Sequence, residues 1–113
     1  MSLVGDRAAI AAVLSTIDGV TGYASRPSVL AAGDAWPLLG PLDRASGYSF
    51  TATWRVFVII PSDEVKASEW LDAHVDELVE ALLPVGFVDQ ILPVAVTTEA
   101  GDLLAAQITM RSE

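Results

Sequence analysis

His74 and Glu77 are the pair of residues whose types and spacing come nearest to a metal site. His74 is the only histidine of the chain, and Glu77 follows three positions later in a segment that predicts a helix. Two such residues lie on one side of a helix and could supply half of the ligands of a metal ion. The chain has no cysteine to complete the set. We therefore expect His74 to pack in the fold or at an interface rather than to bind metal.

Four acidic residues of the same segment form a second possible cation site: Glu69, Asp72, Asp76 and Glu80. Carboxylate oxygens on one side of a helix could hold a divalent cation. Acids in this pattern are more often a solvated surface, and Lys66 is the only basic residue of the segment that could pair with them. We therefore expect a solvated acidic face.

Other kinds of catalysis lack the residues that they need. The serine and threonine hydroxyls have no spare histidine to activate them, and no glycine-rich loop could cradle a phosphate. Trp36, Trp54 and Trp70 could stack on a ligand, but Trp54 falls on the core face of a strand, and we expect the other two to be packing residues or interface anchors. We predict no catalytic residue, no cofactor and no metal, and hence no enzyme.

Length and composition predict one domain, residues 1–113. Hydrophobic residues make up 52% of the 113 residues and charged residues 19%, which excludes disorder and favours an apolar interior or a buried interface. The longest strictly apolar run, residues 8–14, is too short to span a membrane, and Asp6 before it argues against a signal peptide.

The charge balance argues against direct binding of nucleic acid. The chain has 15 acidic and 6 basic residues, a net charge of −9, and its basic residues are scattered singly. A surface of this kind repels phosphate backbones unless the cations gather in a patch.

The positions of apolar and turn residues predict two helices and about four to five strands. The first helix spans residues 7–16 behind an N-cap at Asp6, and the second spans residues 63–83 with an apolar stripe that ends at Leu82. Short strands are expected at 20–25 and 35–38, a long one at 48–60, and a hairpin from Val88 to Met110 that turns at 99–102. The order α-β-β-β-α-β-β predicts an α+β fold with a mainly antiparallel sheet. Pro93 predicts an edge strand, because proline cannot donate to a ladder.

The segment from Arg26 to Asp43 has too many prolines and glycines for a helix and is too apolar for a plain solvated loop. We predict that this segment and one helix residue lie at a subunit or partner interface. The predicted interface residues are Arg26, Val29, Leu30, Asp34, Trp36, Leu38 and Trp70.

The layout of these segments resembles that of the tail terminator (tail completion) proteins of long-tailed bacteriophages, including actinobacterial phages. The resemblance covers nearly the whole chain in order and size, and it lies in layout rather than in catalytic residues. The segments that carry it are residues 19–23, 26–27, 33–37, 50–56, the helix with Ala67 and residues 70–72, and residues 92–94.

The resemblance implies an α+β subunit that closes into a ring, usually a hexamer, at the head-proximal end of the tail tube. The ring stops polymerisation of the tube protein and gives the head–tail connector a docking surface, while DNA passes through its centre without specific binding. The implied location is the virion, after synthesis in the host cytoplasm and without a membrane. The acids Asp43, Glu99 and Asp102, expected in loops, are candidates for the channel lining beside the helix acids.

Head–tail stopper and adaptor proteins of the connector are the main alternative. A tail-tube subunit is disfavoured because no long extra hairpins are visible in the sequence. A small metal-dependent enzyme would need a metal at His74 and Glu77, and a ligand-binding module would need a closed apolar pocket near Trp36 and Trp70.

Overall fold

A computed structural model describes residues 3–47 and 49–112 of the chain. The elements are α1 (Leu3–Leu14), β1 (Thr21–Gly22), β2 (Asp34–Ser46), β3 (Ser49–Ile59), α2 (Glu64–Leu82), β4 (Phe87–Thr98) and β5 (Gly101–Ser112). Their order is the predicted one, and the α+β fold is confirmed. No helix in the described residues is both long and apolar enough to cross a membrane.

The five strands form one sheet in the order β1-β2-β3-β5-β4. The sheet is mixed, because β1 runs parallel to β2 while the other neighbouring strands are antiparallel. The strand β3 lies at the centre, as its apolar character on both faces predicts. Pro93 lies in β4, which is an edge strand, so that prediction is also confirmed.

The second helix has the predicted register and almost the predicted bounds. The Asp63 side chain caps it by accepting hydrogen bonds from the backbone N–H groups of Val65 and Lys66. Leu78 and Leu82 on its apolar stripe are fully buried against the sheet. Pro84 follows the helix directly, where a proline cannot continue the backbone hydrogen bonds.

The first helix begins earlier than predicted, and Asp6 lies inside it rather than at its N-cap. Leu3 packs against the same core as Ile10 and Leu14, so burial favours helix before Asp6. The helix ends at Leu14 because the Ser15 hydroxyl bonds back to a carbonyl within the last turn and Thr16 does the same.

The first strand is much shorter than the predicted span of residues 20–25, and Pro37 gives a physical reason. The Tyr23 N–H donates a hydrogen bond of 2.8 Å to the Ala35 carbonyl. The next rung of a parallel ladder would need an N–H at residue 37, which proline lacks. The strand therefore ends, and the chain leaves the sheet.

The second strand is longer than the predicted residues 35–38, because β2 continues with β3 as a hairpin with two irregularities in its register.

The core has two parts, one on each face of the sheet. The larger part lies between the sheet and both helices and contains Trp54, Val56 and Val58 from β3. The smaller part lies on the opposite face, where Trp36, Ile59, Val96 and Ala105 are buried. The alternation of β3 therefore divides its side chains between these two parts, as predicted.

Candidate functional site

The sheet face opposite the helices is covered by no helix in the described residues. We call it the helix-free face. Cross-strand pairs in the sheet register define its members, because directly paired residues share a face. It contains Trp36, Leu38, Arg55, Phe57, Ile59, Leu92, Val94, Val96, Leu103, Ala105, Gln107 and Thr109.

The segment between β1 and β2 covers one end of this face. Leu30 packs on the smaller part of the core, and Arg26 Nη2 donates a hydrogen bond of 2.8 Å to the Thr97 carbonyl. Asp34 closes the return turn by accepting from the Ala31 N–H. Val29 of the same segment is 81% exposed. The other end of the face, at Leu38 and Arg55, is exposed.

The predicted interface residues are therefore divided among different environments. Trp36 is only 3% exposed and stacks on Phe57 at 5.4 Å, so it packs within its own chain and offers a partner little surface. Leu38 is 46% exposed on the helix-free face. Trp70 lies on α2, across the sheet from these residues, and packs on the larger core. Trp70 therefore does not share a surface with the other six predicted interface residues.

His74 stacks its ring on Trp70 with 4.1 Å between the ring centroids, and its Nδ1 lies 2.8 Å from the Trp70 carbonyl oxygen. Within residues 3–47 and 49–112, no three histidine, aspartate or glutamate side chains come together as a metal site. The packing interpretation of His74 agrees with these contacts. The four acids Glu69, Asp72, Asp76 and Glu80 are all exposed on the outer side of α2, as a solvated face requires.

A cleft of about 310 Å³ lies where the helix-free face meets the outer edge of β2. We call it the edge cleft. It is lined by Arg7, Ala24, Ser25, Arg26, Trp36, Pro37, Leu38, Leu39, Phe57 and Val96. Five parts of the chain line it: α1 supplies Arg7, the segment after β1 supplies Arg26, β2 supplies the floor, and β3 and β4 supply Phe57 and Val96. Sequence reasoning gave Trp36 a possible ligand role but missed Arg7, whose position 29 residues earlier in the chain gives no local signal.

Both cleft arginines stack on tryptophan rings. Arg7 lies 5.5 Å from the Trp54 ring centre and Arg26 lies 5.7 Å from that of Trp36.

The ion pair found in the described residues joins Arg111 to Asp89 at 2.8 Å, outside the cleft. There the hydrogen bonds to Asp89, and then the charge of that carboxylate, raise the pKa of the Arg111 guanidinium above its ordinary value. The cleft arginines have no carboxylate partner of this kind in the described part of the chain.

The three predicted channel acids are exposed, but they lie at opposite ends of the sheet. Asp43 lies in β2 rather than in a loop, beside the β2–β3 turn, because that hairpin is longer than predicted. Glu99 lies in the β4–β5 turn and Asp102 at the start of β5. About eleven strand positions, or about 36 Å, separate Asp43 from Asp102 along the sheet. The acids therefore do not form one cluster within a subunit.

Comparison with known proteins adds no family assignment. No family model matches the sequence, and no curated protein is significantly similar to it.

Proposed function

We propose that this chain is a tail terminator subunit of a long-tailed bacteriophage, whose copies close into a ring, a hexamer, at the head-proximal end of the tail tube. The ring stops polymerisation of the tail tube protein and offers the head–tail connector protein a docking surface. DNA passes through its centre without specific binding. The subunit is made in the host cytoplasm and resides in the virion.

The observation that carries the proposal is the uncovered helix-free face. A two-layer α+β domain normally buries one sheet face under its helices, and the other face stays soluble if it is polar. Here the exposed Leu38 on β2 lies diagonally opposite the half-buried Phe57 on β3, so apolar side chains continue onto the uncovered surface. A second protein layer would bury them, which favours assembly.

The two hairpins support assembly in a different way. Within residues 3–47 and 49–112, β2 and β3 pair only with each other beyond the Ala52–Ser112 pair, and β4 and β5 pair only with each other beyond Leu104, whose carbonyl accepts a hydrogen bond from the Ile60 N–H. Each hairpin thus extends past the five-stranded sheet, at opposite ends, within a molecule 47 Å long. Extensions at both ends can contact neighbours above and below a ring.

These hairpins also favour a second candidate, the tail-tube subunit. The reason given for disfavouring it, a lack of long extra hairpins, stays a prediction, because the β4–β5 hairpin with its two 12-residue strands is the one that the sequence predicts. A tube subunit would stack into open-ended tubes, whereas a terminator would form single closed rings. The form of the assembly therefore distinguishes the two candidates.

Light scattering and negative-stain imaging of the purified protein test the proposal. A terminator gives a discrete oligomer mass and single rings, and addition of those rings to polymerising tube protein yields tubes with one end capped. Long tubes of the chain alone would favour the tube subunit. A monomer at all accessible concentrations that also fails to cap tubes would refute both candidates.

Leu38→Lys tests the role of the helix-free face in the same assay. The charged amine at a buried contact should weaken assembly by at least about tenfold, since an uncompensated buried charge is costly. Val79→Lys is the matched control, because Val79 is 40% exposed on the outer side of α2 and receives the same change of charge. Equal assembly of both variants with the wild type would show that the helix-free face is not an interface.

A further inference from the structure

We propose that the edge cleft binds an acidic segment of a second copy of this chain, whose carboxylates meet Arg26 on the helix-free side of the β2 edge and Arg7 on its helix side. The inference rests on the proposed function in one respect, that copies of the chain assemble. It adds that the edge cleft is the surface that binds the neighbouring copy, and that contacts between carboxylates and arginines hold that copy in place.

Charge complementarity identifies the occupant. The chain has 15 acidic and 6 basic residues, so random contact between copies brings like charges together. Two of the six basic side chains, Arg7 and Arg26, line the edge cleft, and no acidic residue lines it. In the edge cleft, an acidic side chain of a neighbouring copy can therefore contact arginines without coming close to another acidic side chain.

The Arg26 guanidinium is held in position before any partner arrives. One of its N–H groups is bonded to the Thr97 carbonyl, and its central carbon lies 5.7 Å from the centre of the Trp36 ring, which leaves further N–H donors for a carboxylate. Arg7 likewise lies over the Trp54 ring. Holding the side chains in this way reduces the entropy lost when a carboxylate binds.

The backbone of β2 adds a short row of hydrogen-bonding groups to the cleft. The Ala35 carbonyl points to β1, away from β3, and strand alternation directs the backbone groups of Pro37 and Leu39 the same way. Because β1 has ended, the described residues provide no strand partner there. Pro37 offers only its carbonyl, so an entering segment can pair with the edge over one or two residues but cannot add a long strand. A short acidic segment suits this edge better than a complete strand.

Sedimentation analysis of the full-length chain tests the inference. Arg26→Glu and Arg7→Gln should each weaken self-association by at least about tenfold, because either change leaves the neighbour's acidic segment with one cation fewer. Raised salt should weaken the association of the wild type and have a smaller effect on the variants. Lys66→Glu is the matched control for Arg26→Glu, since it makes the same change of charge on the exposed surface of α2, outside the cleft. Far-UV circular dichroism and a thermal midpoint check that each variant is folded.

The outcomes separate this inference from the proposed function. An oligomeric wild type with cleft variants that associate as well as Lys66→Glu would overturn the inference and leave the ring proposal standing. A monomeric wild type would overturn the inference, and a monomer that also fails to cap tubes would overturn the ring proposal as well. If the monomer's tryptophan fluorescence responded to millimolar glutamate, and Arg26→Glu abolished the response, the occupant would be a small carboxylate. If the monomer instead bound tube or connector protein through the cleft, the occupant would be a different protein. Either result would also overturn the inference.

Discussion

The indole Nε1 of Trp54 donates a hydrogen bond of 2.9 Å to the Ser112 hydroxyl. Trp54 is fully buried at the centre of the larger core, so this hydroxyl satisfies a polar group at a dry position. The bond joins the middle strand β3 to the last residue of β5, 58 positions later. The end of β5 is thereby fixed to the core.

Ser112→Ala should destabilise the fold by about 1–2 kcal/mol, because the Trp54 N–H loses its partner while it stays buried. Urea denaturation followed by tryptophan fluorescence measures the change. Ser68→Ala, on the exposed side of α2, is the control and should leave the midpoint nearly unchanged. Equal midpoints for the two variants would show that the hydrogen bond contributes nothing.

Leu78→Ala should cost about 2–5 kcal/mol, since it removes a fully buried side chain from between α2 and the sheet and leaves a cavity. The neighbouring Val79→Ala changes an exposed position on the same helix and should cost far less. Chemical denaturation of both proteins gives the two free energies. A smaller loss for Leu78→Ala than for Val79→Ala would mean that α2 has a different register.

Asp63→Ala should cost about 0.5–2 kcal/mol, because the carboxylate caps two N–H groups at the start of α2. Asp63→Ser should restore most of the loss, since a serine hydroxyl can accept the same bonds. Thermal unfolding by circular dichroism compares the three proteins. A serine variant as unstable as the alanine variant would indicate that the charge, rather than the cap, is what stabilises the helix.

Local signals in the sequence were enough to predict α2, β3 and the last hairpin. The stripe that includes Leu78 repeats at helical spacing, and the alternation around Trp54 repeats at strand spacing, so each pattern lies within one element. The start of α1 and the short β1 depend on contacts between elements: the packing of Leu3 and the missing donor of Pro37. The edge cleft could not be predicted for the same reason, because Arg7 and Arg26 line one cleft only after α1 has packed over β2.

The acid surplus gives the last prediction, which concerns the channel of the proposed ring. Six copies at −9 each carry a formal charge on the order of −50, and salt screens this charge over about 8 Å, so only acids near the channel repel DNA passing through it. Asp43 and Asp102 lie about 36 Å apart within a subunit, a distance much longer than this screening length. We therefore expect only one end of the sheet to lie close enough to the channel for its acids to repel the DNA.

Two charge-reversal variants show which end faces the channel: Asp43→Lys, and the double change Glu99→Lys with Asp102→Lys. We expect one of them to slow DNA ejection from assembled phage and the other to leave it unchanged, because a ring of lysines attracts the phosphates that acids repel. Negative-stain imaging should show that both still form rings, since all three side chains are exposed. The wild-type ring should show no binding to duplex DNA at low salt. Tight, salt-sensitive binding by the wild type would refute the repulsive channel and restore nucleic-acid binding as a function of this chain.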